Sequence, residues 1–179
     1  MPQNPLAPII VTALLAQADF AWFDALRRQH YPAARNQVPV HLTLFHHLPP
    51  SALERLRRML SAEVRTTVAP VARIVRPISL GQGVAFAVES PGLAGIRSRL
   101  ADAMDGQLLP QDLAAWRPHI TIQNKVAPAE ARALLRELAA AWRPRPIGIS
   151  GLAAYWYRGG PWQPIAEWRF SRSGPSRRS

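Results

Sequence analysis

The sequence contains no cysteine and a single lysine, Lys125, among its 179 residues. Without cysteine the chain has no disulfide framework, no thiol nucleophile and no thiolate ligand for zinc. It also lacks a basic N-terminal stretch followed by an apolar run, and the apolar segment at 9–16 is much shorter than the ~20 residues of a membrane-spanning helix. We therefore expect a soluble cytoplasmic protein that does not associate with a membrane.

Acidic residues are also scarce, because 11 aspartates and glutamates stand against 22 lysines and arginines, giving a formal net charge of +11. Arginine binds phosphate through two parallel hydrogen bonds, and a positive field attracts phosphate-rich partners. A GC-rich genome enriches arginine, alanine and proline together, and we attribute most of the arginine count to this cause. The excess of positive charge still favours an anionic ligand over a cationic one.

Two short segments each carry a histidine and a threonine two residues apart in a run of β-forming residues: VHLTLF at 40–45 and PHITIQ at 118–123. On a β-strand such residues point to the same face, so His41 projects with Thr43, and His119 with Thr121. The residues between them are apolar and point the other way. This alternation predicts two half-buried strands whose polar faces line a cleft.

The offset of 78 residues between His41 and His119 also aligns the residues that follow, without a gap. The aligned pairs include prolines, leucines, arginines and glycines: Leu48 with Val126, Pro50 with Pro128, Leu56 with Leu134, Arg58 with Arg136, Gly81 with Gly159 and Glu89 with Glu167. We interpret this pattern as an internal duplication. Pseudo-repeat halves at about 9–82 and 83–170 would form a single bilobal domain over residues 1–170, followed by a disordered basic tail at 171–179.

The order of the predicted elements favours the α+β class. Apolar residues at helical spacing predict four helices, which begin near Asp19, Pro50, Pro91 and Pro128. Extended segments at 68–80 and 146–157 each lead through a glycine turn into another strand. Strands joined by tight turns pair antiparallel, so we expect an α+β fold rather than a doubly wound parallel sheet.

Two histidines that face each other across a groove can divide the work of phosphoester cleavage. One imidazole takes a proton from the attacking nucleophile, and the other gives a proton to the leaving oxygen. Each threonine hydroxyl can donate to a non-bridging phosphate oxygen. A single histidine beside an apolar strand is more often structural, but matched histidine–threonine pairs in both halves favour catalysis or ligand contact.

A metal site is the other interpretation of these histidines. His41, His46 and His47 lie close together in the sequence, but strand alternation places His46 on the opposite face from His41. No carboxylate lies close in sequence to either motif. We therefore predict that the protein uses no metal and no cofactor.

The segments HLTL and RPHITI resemble the paired H-x-[ST]-hydrophobic signature of the 2H phosphoesterases, the group that contains LigT-like 2′-5′ RNA ligases and cyclic phosphodiesterases. His41, Thr43, His119 and Thr121 match the four signature positions. The resemblance implies a bilobal, duplicated α+β fold in which two antiparallel sheets face a central cleft, with the helices outside. It also implies metal-independent action on phosphodiesters of RNA or nucleotides, often 2′,3′-cyclic phosphates that are opened to 2′-phosphates.

On this resemblance we predict a monomeric cyclic phosphodiesterase whose partners are RNA ends or cyclic nucleotides. The alternatives are a 2′-5′ RNA ligase and a non-catalytic module of the same group that binds nucleotides or RNA. We assign the activation of water to His119 and the protonation of the departing ribose oxygen to His41. The similarity of the two halves leaves the reverse assignment open.

Strand alternation extends the predicted site beyond the two motifs. It places Phe45 and His47 beside the first motif, and Gln123 and Lys125 beside the second, where many LigT-like members have an arginine. Phe45 would stack on a base or pack at the floor of the cleft. Lys125 would hold a phosphate or remain solvated. Tyr157, on a late strand, completes the predicted substrate contacts.

Overall fold

The computed structural model describes residues 7–172, so the segment 1–6 and most of the predicted tail at 171–179 lie outside the described residues. Within this range the helices are α1 (Gln17–His30), α2 (Leu53–Thr66), α3 (Pro91–Ala103), α4 (Pro110–Leu113) and α5 (Pro128–Ala140). The strands are β1 (Ile9–Leu15), β2 (Leu42–Leu48), β3 (Val71–Ser79), β4 (Val84–Glu89), β5 (His119–Gln123), β6 (Arg145–Trp156) and β7 (Gln163–Arg169). The described strands pair antiparallel, and the predicted α+β class is confirmed.

The long strand β6 joins the two halves of the sheet. Its N-terminal part pairs with β3, and its C-terminal part pairs with β1 and β7. The strand order is β2-β1-β6-β3-β4-β5, with β7 paired to β6. Strand β3 comes from the first half of the sequence but pairs within the half of the sheet that contains β4 and β5. The two halves of the sequence therefore exchange strands.

Strands β2 and β5 lie at opposite ends of the strand order, so each has one paired edge and one free edge within the described sheet. The sheet curls into a half-barrel, and this curvature brings β2 and β5 into contact. The first His-x-Thr motif spans the start of β2, and the second lies in β5. The two motifs are therefore carried by the two free edges of one curled sheet.

Helix α3 shows how the helices are fixed on the sheet. The Ser90 hydroxyl accepts a hydrogen bond from the Leu93 amide (3.2 Å) and donates one to the Val71 carbonyl (2.8 Å), so it caps the helix and ties it to β3. Apolar residues at helical spacing, Leu93, Ile96 and Leu100, are fully buried on the inner face. Truncating one such side chain to alanine typically costs about 2–5 kcal/mol. Arg97, the residue that follows Ile96, is therefore presented to the cleft from a rigid helix.

Each motif strand contains a β-bulge directly after its threonine. Two consecutive residues of the neighbouring strand pair with residues that are two apart in the motif strand: Val11 and Thr12 with Phe45 and Thr43, and Val84 and Ala85 with Gln123 and Thr121. An inserted residue of this kind breaks the alternation of side chains between the two faces. The alternation that relates histidine to threonine therefore does not continue beyond the bulge in either strand.

Candidate active site

The backbone orients the two motif histidines in the same way. The Nδ1 atom of His41 lies 2.8 Å from the carbonyl oxygen of Pro39, and that of His119 lies 2.8 Å from the carbonyl oxygen of Arg117. Since a carbonyl oxygen can only accept a hydrogen bond, Nδ1 carries the hydrogen in both rings. In each neutral ring Nε2 is therefore the nitrogen that can accept a further proton.

A cavity of about 360 Å³ lies between the free edges of β2 and β5. The side chains of His41, Thr43, His119 and Thr121 all line it, so the structure brings the four motif residues together. The other residues of the wall come mainly from α3 and from the segment around α4: His46, Arg97, Gln111, Asp112, Ala115, Trp116, Arg117 and Trp162. The volume is at the lower end of the range of ~300–1,000 Å³ that holds small ligands.

A buried arginine from α1 holds the strand of the second motif. The Nη1 group of Arg27 donates to the carbonyl oxygen of Thr121 (3.0 Å), and its Nε donates to the Asn36 side chain (2.7 Å). The guanidinium also lies 4.2 Å from the centre of the Tyr31 ring. Burial lowers the pKa of Arg27, although the group remains charged at any physiological pH. Arg27 thereby satisfies a carbonyl that the free edge of β5 would leave unpaired.

The strand of the first motif is held in a corresponding way from the other half of the chain. The Nε group of Arg97, on α3, donates to the Leu44 carbonyl (2.9 Å), and the indole nitrogen of Trp116 donates to the Thr43 carbonyl (3.0 Å). Burial lowers the pKa of Arg97 too. Each free edge is therefore fixed by an arginine from a helix that belongs to the opposite half.

The environment of His41 keeps its imidazole neutral near pH 7. Its pKa is lowered from the ordinary value of 6.5 to about 4, mainly because burial disfavours the charged ring. The hydrogen bond to the Pro39 carbonyl opposes this shift, whereas the positive charges of Arg27, His119 and His46 reinforce it. Near pH 7 Nε2 of His41 therefore carries no proton and is available as an acceptor.

A third histidine lines the cavity, which corrects the prediction that His46 lies on the face opposite His41. The bulge turns His46 into the cavity, where its Nδ1 lies 3.1 Å from Asp112 Oδ1. Asp112, on α4, is 2% exposed and also accepts the backbone N–H groups of His46 and His47 (2.9 Å each). Burial by itself would raise the pKa of Asp112, but these hydrogen bonds hold it below its ordinary value.

The two residues predicted to contact substrate after the first motif do not line the cavity, for the same reason. Phe45 is fully buried, and its ring packs under the guanidinium of Arg97 at 4.8 Å, so it cannot stack on a base. His47 has an exposed side chain and is not among the residues that line the cavity. The bulge at Leu44 and Phe45 shifts both residues away from the positions that strict alternation gives.

The contacts predicted after the second motif also lie outside the cavity. Gln123 is buried at 2% exposure, and its Oε1 has no hydrogen-bond partner among the described residues. Lys125 is exposed on the turn that follows β5, with a positive φ of 63°. Tyr157 is 43% exposed just beyond β6. The bulge at Ile122 and Gln123 and the early end of β5 explain why alternation misplaces Gln123 and Lys125.

A second cavity, of about 490 Å³, adjoins the first. His41 and Trp162 line both cavities, and their ring centroids are 4.4 Å apart. Phe20 and Tyr155 add aromatic surface to the second cavity, and Glu167 pairs with Arg169 at its rim (2.7 Å). The two cavities together are large enough for a phosphate with a substituent on each side.

The sequence alone missed several of these residues. The contact between Arg27 and Thr121 spans 94 positions of the chain, and that between His46 and Asp112 spans 66. Neither pair has a local pattern that marks it. The only available signal was the presence of His46 next to the first motif, and alternation assigned it to the wrong face.

Residues 7–172 contain no group of three or more histidine, aspartate and glutamate side chains that is arranged to hold a metal ion. Among the helices in this part of the chain, none is long and apolar enough to cross a membrane.

The family model described as the 2′-5′ RNA ligase superfamily matches residues 15–161 of the chain. Comparison with curated proteins gives no significant match. Among solved structures, E. coli LigT complexed with 3′-AMP has a TM-score of 0.60 at 16% sequence identity, covering 93% of this chain and 99% of LigT. The protein TT0787 of Thermus thermophilus has a TM-score of 0.62 at 17% identity, covering 93% of this chain and all of TT0787. At these identities the solved structures establish a shared fold.

Proposed function

Because the chain belongs to the 2′-5′ RNA ligase superfamily of 2H phosphoesterases, we propose that it is a metal-independent phosphodiesterase. The substrates would be 2′,3′-cyclic phosphates at the ends of RNA or on nucleotides. The observation that supports this most strongly is the geometry of the two imidazoles. Both have Nδ1 fixed by a backbone carbonyl, both leave Nε2 available, and both line one cavity together with two threonine hydroxyls.

We propose His41 as the general base and His119 as the general acid, which reverses the assignment first predicted from the sequence. A base must be neutral before the reaction, and the lowered pKa of His41 favours that form. His41 Nε2 would take a proton from water as the water oxygen attacks phosphorus. The bond from phosphorus to the 3′-oxygen would break, and His119, as imidazolium, would protonate that oxygen to leave a 2′-phosphate.

Thr43 and Thr121 would stabilise the charge that develops on the phosphate during attack. Their side chains share a strand face with the adjacent histidine and line the same cavity. A hydroxyl that donates to a non-bridging oxygen contributes most when the negative charge is greatest, which is in the transition state. Removing one such donor typically lowers the rate by about 10²–10³-fold.

Turnover of a nucleoside 2′,3′-cyclic phosphate in the presence of EDTA tests this proposal. Wild-type protein should release the 2′-phosphate, and His41→Ala and His119→Ala should each abolish release while circular dichroism shows the fold to be retained. His47→Ala is a matched control, because His47 is exposed and lies outside the cavity. Loss of activity in EDTA with recovery on adding a divalent cation would refute the metal-independent mechanism.

The second cavity favours 2′-5′ RNA ligation as a second candidate function. It opens beside His41. A nucleoside bound there would place its 5′-hydroxyl at the position that the attacking water occupies in the hydrolytic mechanism. His41 would then deprotonate that hydroxyl instead. Formation of a 2′-5′-linked product from cyclic-phosphate and 5′-hydroxyl RNA ends would support this function. Binding of nucleotides without any product would indicate the non-catalytic alternative.

A further inference from the structure

The cavity wall carries more basic side chains than a single phosphate needs. His46, Arg97 and Arg117 line the cavity in addition to the two motif histidines. Asp112 is the one acidic residue of this wall among the described residues, and it is 2% exposed. Its two carboxylate oxygens already accept hydrogen bonds from the His46 ring and from two backbone N–H groups. The positive charge facing the cavity is therefore not offset by a free carboxylate of the wall.

His46 lines the cavity with one of its two ring nitrogens already engaged. Its Nδ1 lies against Asp112 Oδ1, and its side chain is 42% exposed. A phosphate at Nε2 would place the ring between two hydrogen-bonding anions. Asp112 thereby fixes the direction in which His46 can bind an anion.

Arg97 is also pre-oriented. Its Nε donates to the Leu44 carbonyl and its Nη2 to the Asp112 carbonyl (2.6 Å), and its guanidinium lies over the rings of Phe45 (4.8 Å) and Trp116 (5.7 Å). A guanidinium has five N–H donors, and Nη1 of Arg97 has no hydrogen-bond partner among the described residues. Donors that are already positioned bind phosphate with a smaller loss of side-chain freedom.

His46 and His41 are anchored at different places in the cavity, His41 by the Pro39 carbonyl and His46 by Asp112. The two residues are five positions apart in an extended segment, roughly 15 Å of strand before the bulge shortens it. Two phosphates separated by one ribose can contact both positions at once. This spacing, and not the charge alone, points to a ligand with two anionic groups.

We propose that His46, Arg97 and Arg117 form a second phosphate subsite, which takes the phosphate on the 5′ side of the nucleoside that bears the scissile cyclic phosphate. This inference rests on the proposed function and specifies its substrate class. The preferred substrate carries two phosphates on one nucleoside, as the 3′ end of an RNA chain does. A nucleoside 2′,3′-cyclic phosphate with a free 5′-hydroxyl is the poorer substrate.

Two substrates that differ by one phosphate test the subsite: adenosine 2′,3′-cyclic phosphate and its 5′-phosphorylated form. We expect kcat/KM to be about ten- to a hundredfold higher for the 5′-phosphorylated form, since a hydrogen bond to a charged group is worth about that factor. The difference should lie mainly in KM. In His46→Gln and Arg117→Gln the preference should fall to a few-fold or less.

Two control variants separate a local subsite from the general attraction of a protein with a net charge of +11. His47→Gln alters the neighbouring histidine, and Arg58→Gln removes the same charge as Arg117→Gln from an exposed position on α2. Both should keep the wild-type preference. An equal loss of preference in Arg58→Gln and Arg117→Gln would overturn the subsite in favour of a general field effect.

Calorimetric binding of adenosine 2′-phosphate and adenosine 2′,5′-bisphosphate gives a result that does not depend on turnover. The bisphosphate should bind wild-type protein about tenfold more tightly or better, and His46→Gln should remove most of this difference. Equal affinities would overturn the subsite even if both cyclic substrates are cleaved. Absence of cleavage with a retained difference in affinity would instead refute the proposed activity and leave the subsite standing.

Discussion

At the scale of the residue, the two motif histidines have equivalent hydrogen bonds but different surroundings. Both rings donate from Nδ1 to the carbonyl two positions earlier, so their orientation follows from the backbone of the motif. The pKa of His41 is lowered to about 4, mainly by burial and further by the charge of Arg27. Burial, reinforced by nearby positive charge, therefore sets the pKa of His41, although the motif alone makes the two histidines alike.

The lowered pKa of His41 makes folding stability depend on pH. The unfolded chain protonates this ring near pH 6.5, whereas the folded protein protonates it only near pH 4, so between these values protons favour the unfolded state. The contribution of His41 to stability is complete above about pH 6.5 and is lost as the pH falls towards 4. We expect urea denaturation of wild-type protein to show a steeper loss over this interval than His41→Gln. Parallel curves for the two proteins would contradict the lowered pKa.

At the scale of the element, each motif strand depends on a helix from the opposite half of the chain. A free strand edge leaves carbonyl groups without partners, and here Arg27 and Arg97 supply the missing donors at Thr121 and Leu44. Trp116 does the same at Thr43. The separation of the two motifs is thus fixed by side chains that cross between the halves, in addition to the strand pairing of the sheet.

Replacing Arg27 should separate its positioning role from its charge. Arg27→Met removes the donor to Thr121 and the charge near His41, and we expect kcat to fall by roughly 100-fold, as for a displacement of about 1 Å at a reacting group. Arg27→Lys keeps the charge but not the planar group that reaches both acceptors, so His41 should keep its low pKa while kcat still falls. NMR titration of His41 and steady-state kinetics measure the two effects.

The neighbouring arginine provides the control for this series. Arg28 is exposed and forms only a surface ion pair with Asp24 (3.5 Å), so Arg28→Met should change neither kcat nor the His41 titration. Full activity in Arg27→Lys would show that the charge of Arg27 matters and its hydrogen bond to Thr121 does not.

The comparison of sequence and structure turns on the two β-bulges. The local sequence was sufficient to predict the strands and the helices that begin near Pro50 and Pro128. It was also sufficient to predict that histidine and threonine share a face within each motif. It was insufficient beyond the threonines, because a bulge depends on the register of the neighbouring strand and, in β2, on the Asp112 carboxylate from a distant segment. The bulge in β2 explains why alternation misplaced Phe45 and His47 and assigned His46 to the face opposite His41.

At the scale of the whole molecule, the exchange of strands makes the two halves of the sequence depend on each other. Residues 9–82 contain β1, β2 and β3 but not β6, which pairs with both β1 and β3. Residues 83–170 contain β6 but not these partners. We propose that the chain is one bilobal domain whose sequence repeats do not correspond to separately folding units.

Cleaving the chain at the glycine turn around Gly81 and Gly83 tests this organisation. The fragments 1–82 and 83–179 should each be largely unfolded by circular dichroism, because β1 and β3 would lose contact with β6, and β4 would lose its pairing with β3. Mixed together, they should regain the spectrum of the intact protein. A cooperative unfolding transition in either isolated fragment would show that the repeats are independent domains.

The curvature of the sheet also determines how the chemistry of this protein can be altered. The gap between β2 and β5 is the unclosed seam of an incomplete barrel, so its width reflects the twist accumulated over every strand in between. Substitutions on β6, far from any reacting atom, can therefore narrow or widen the distance between the two motif strands and so change how the substrate is held. In a laboratory selection for altered turnover, we expect substitutions at remote positions of the sheet to yield altered variants as often as substitutions in the walls of the cavity.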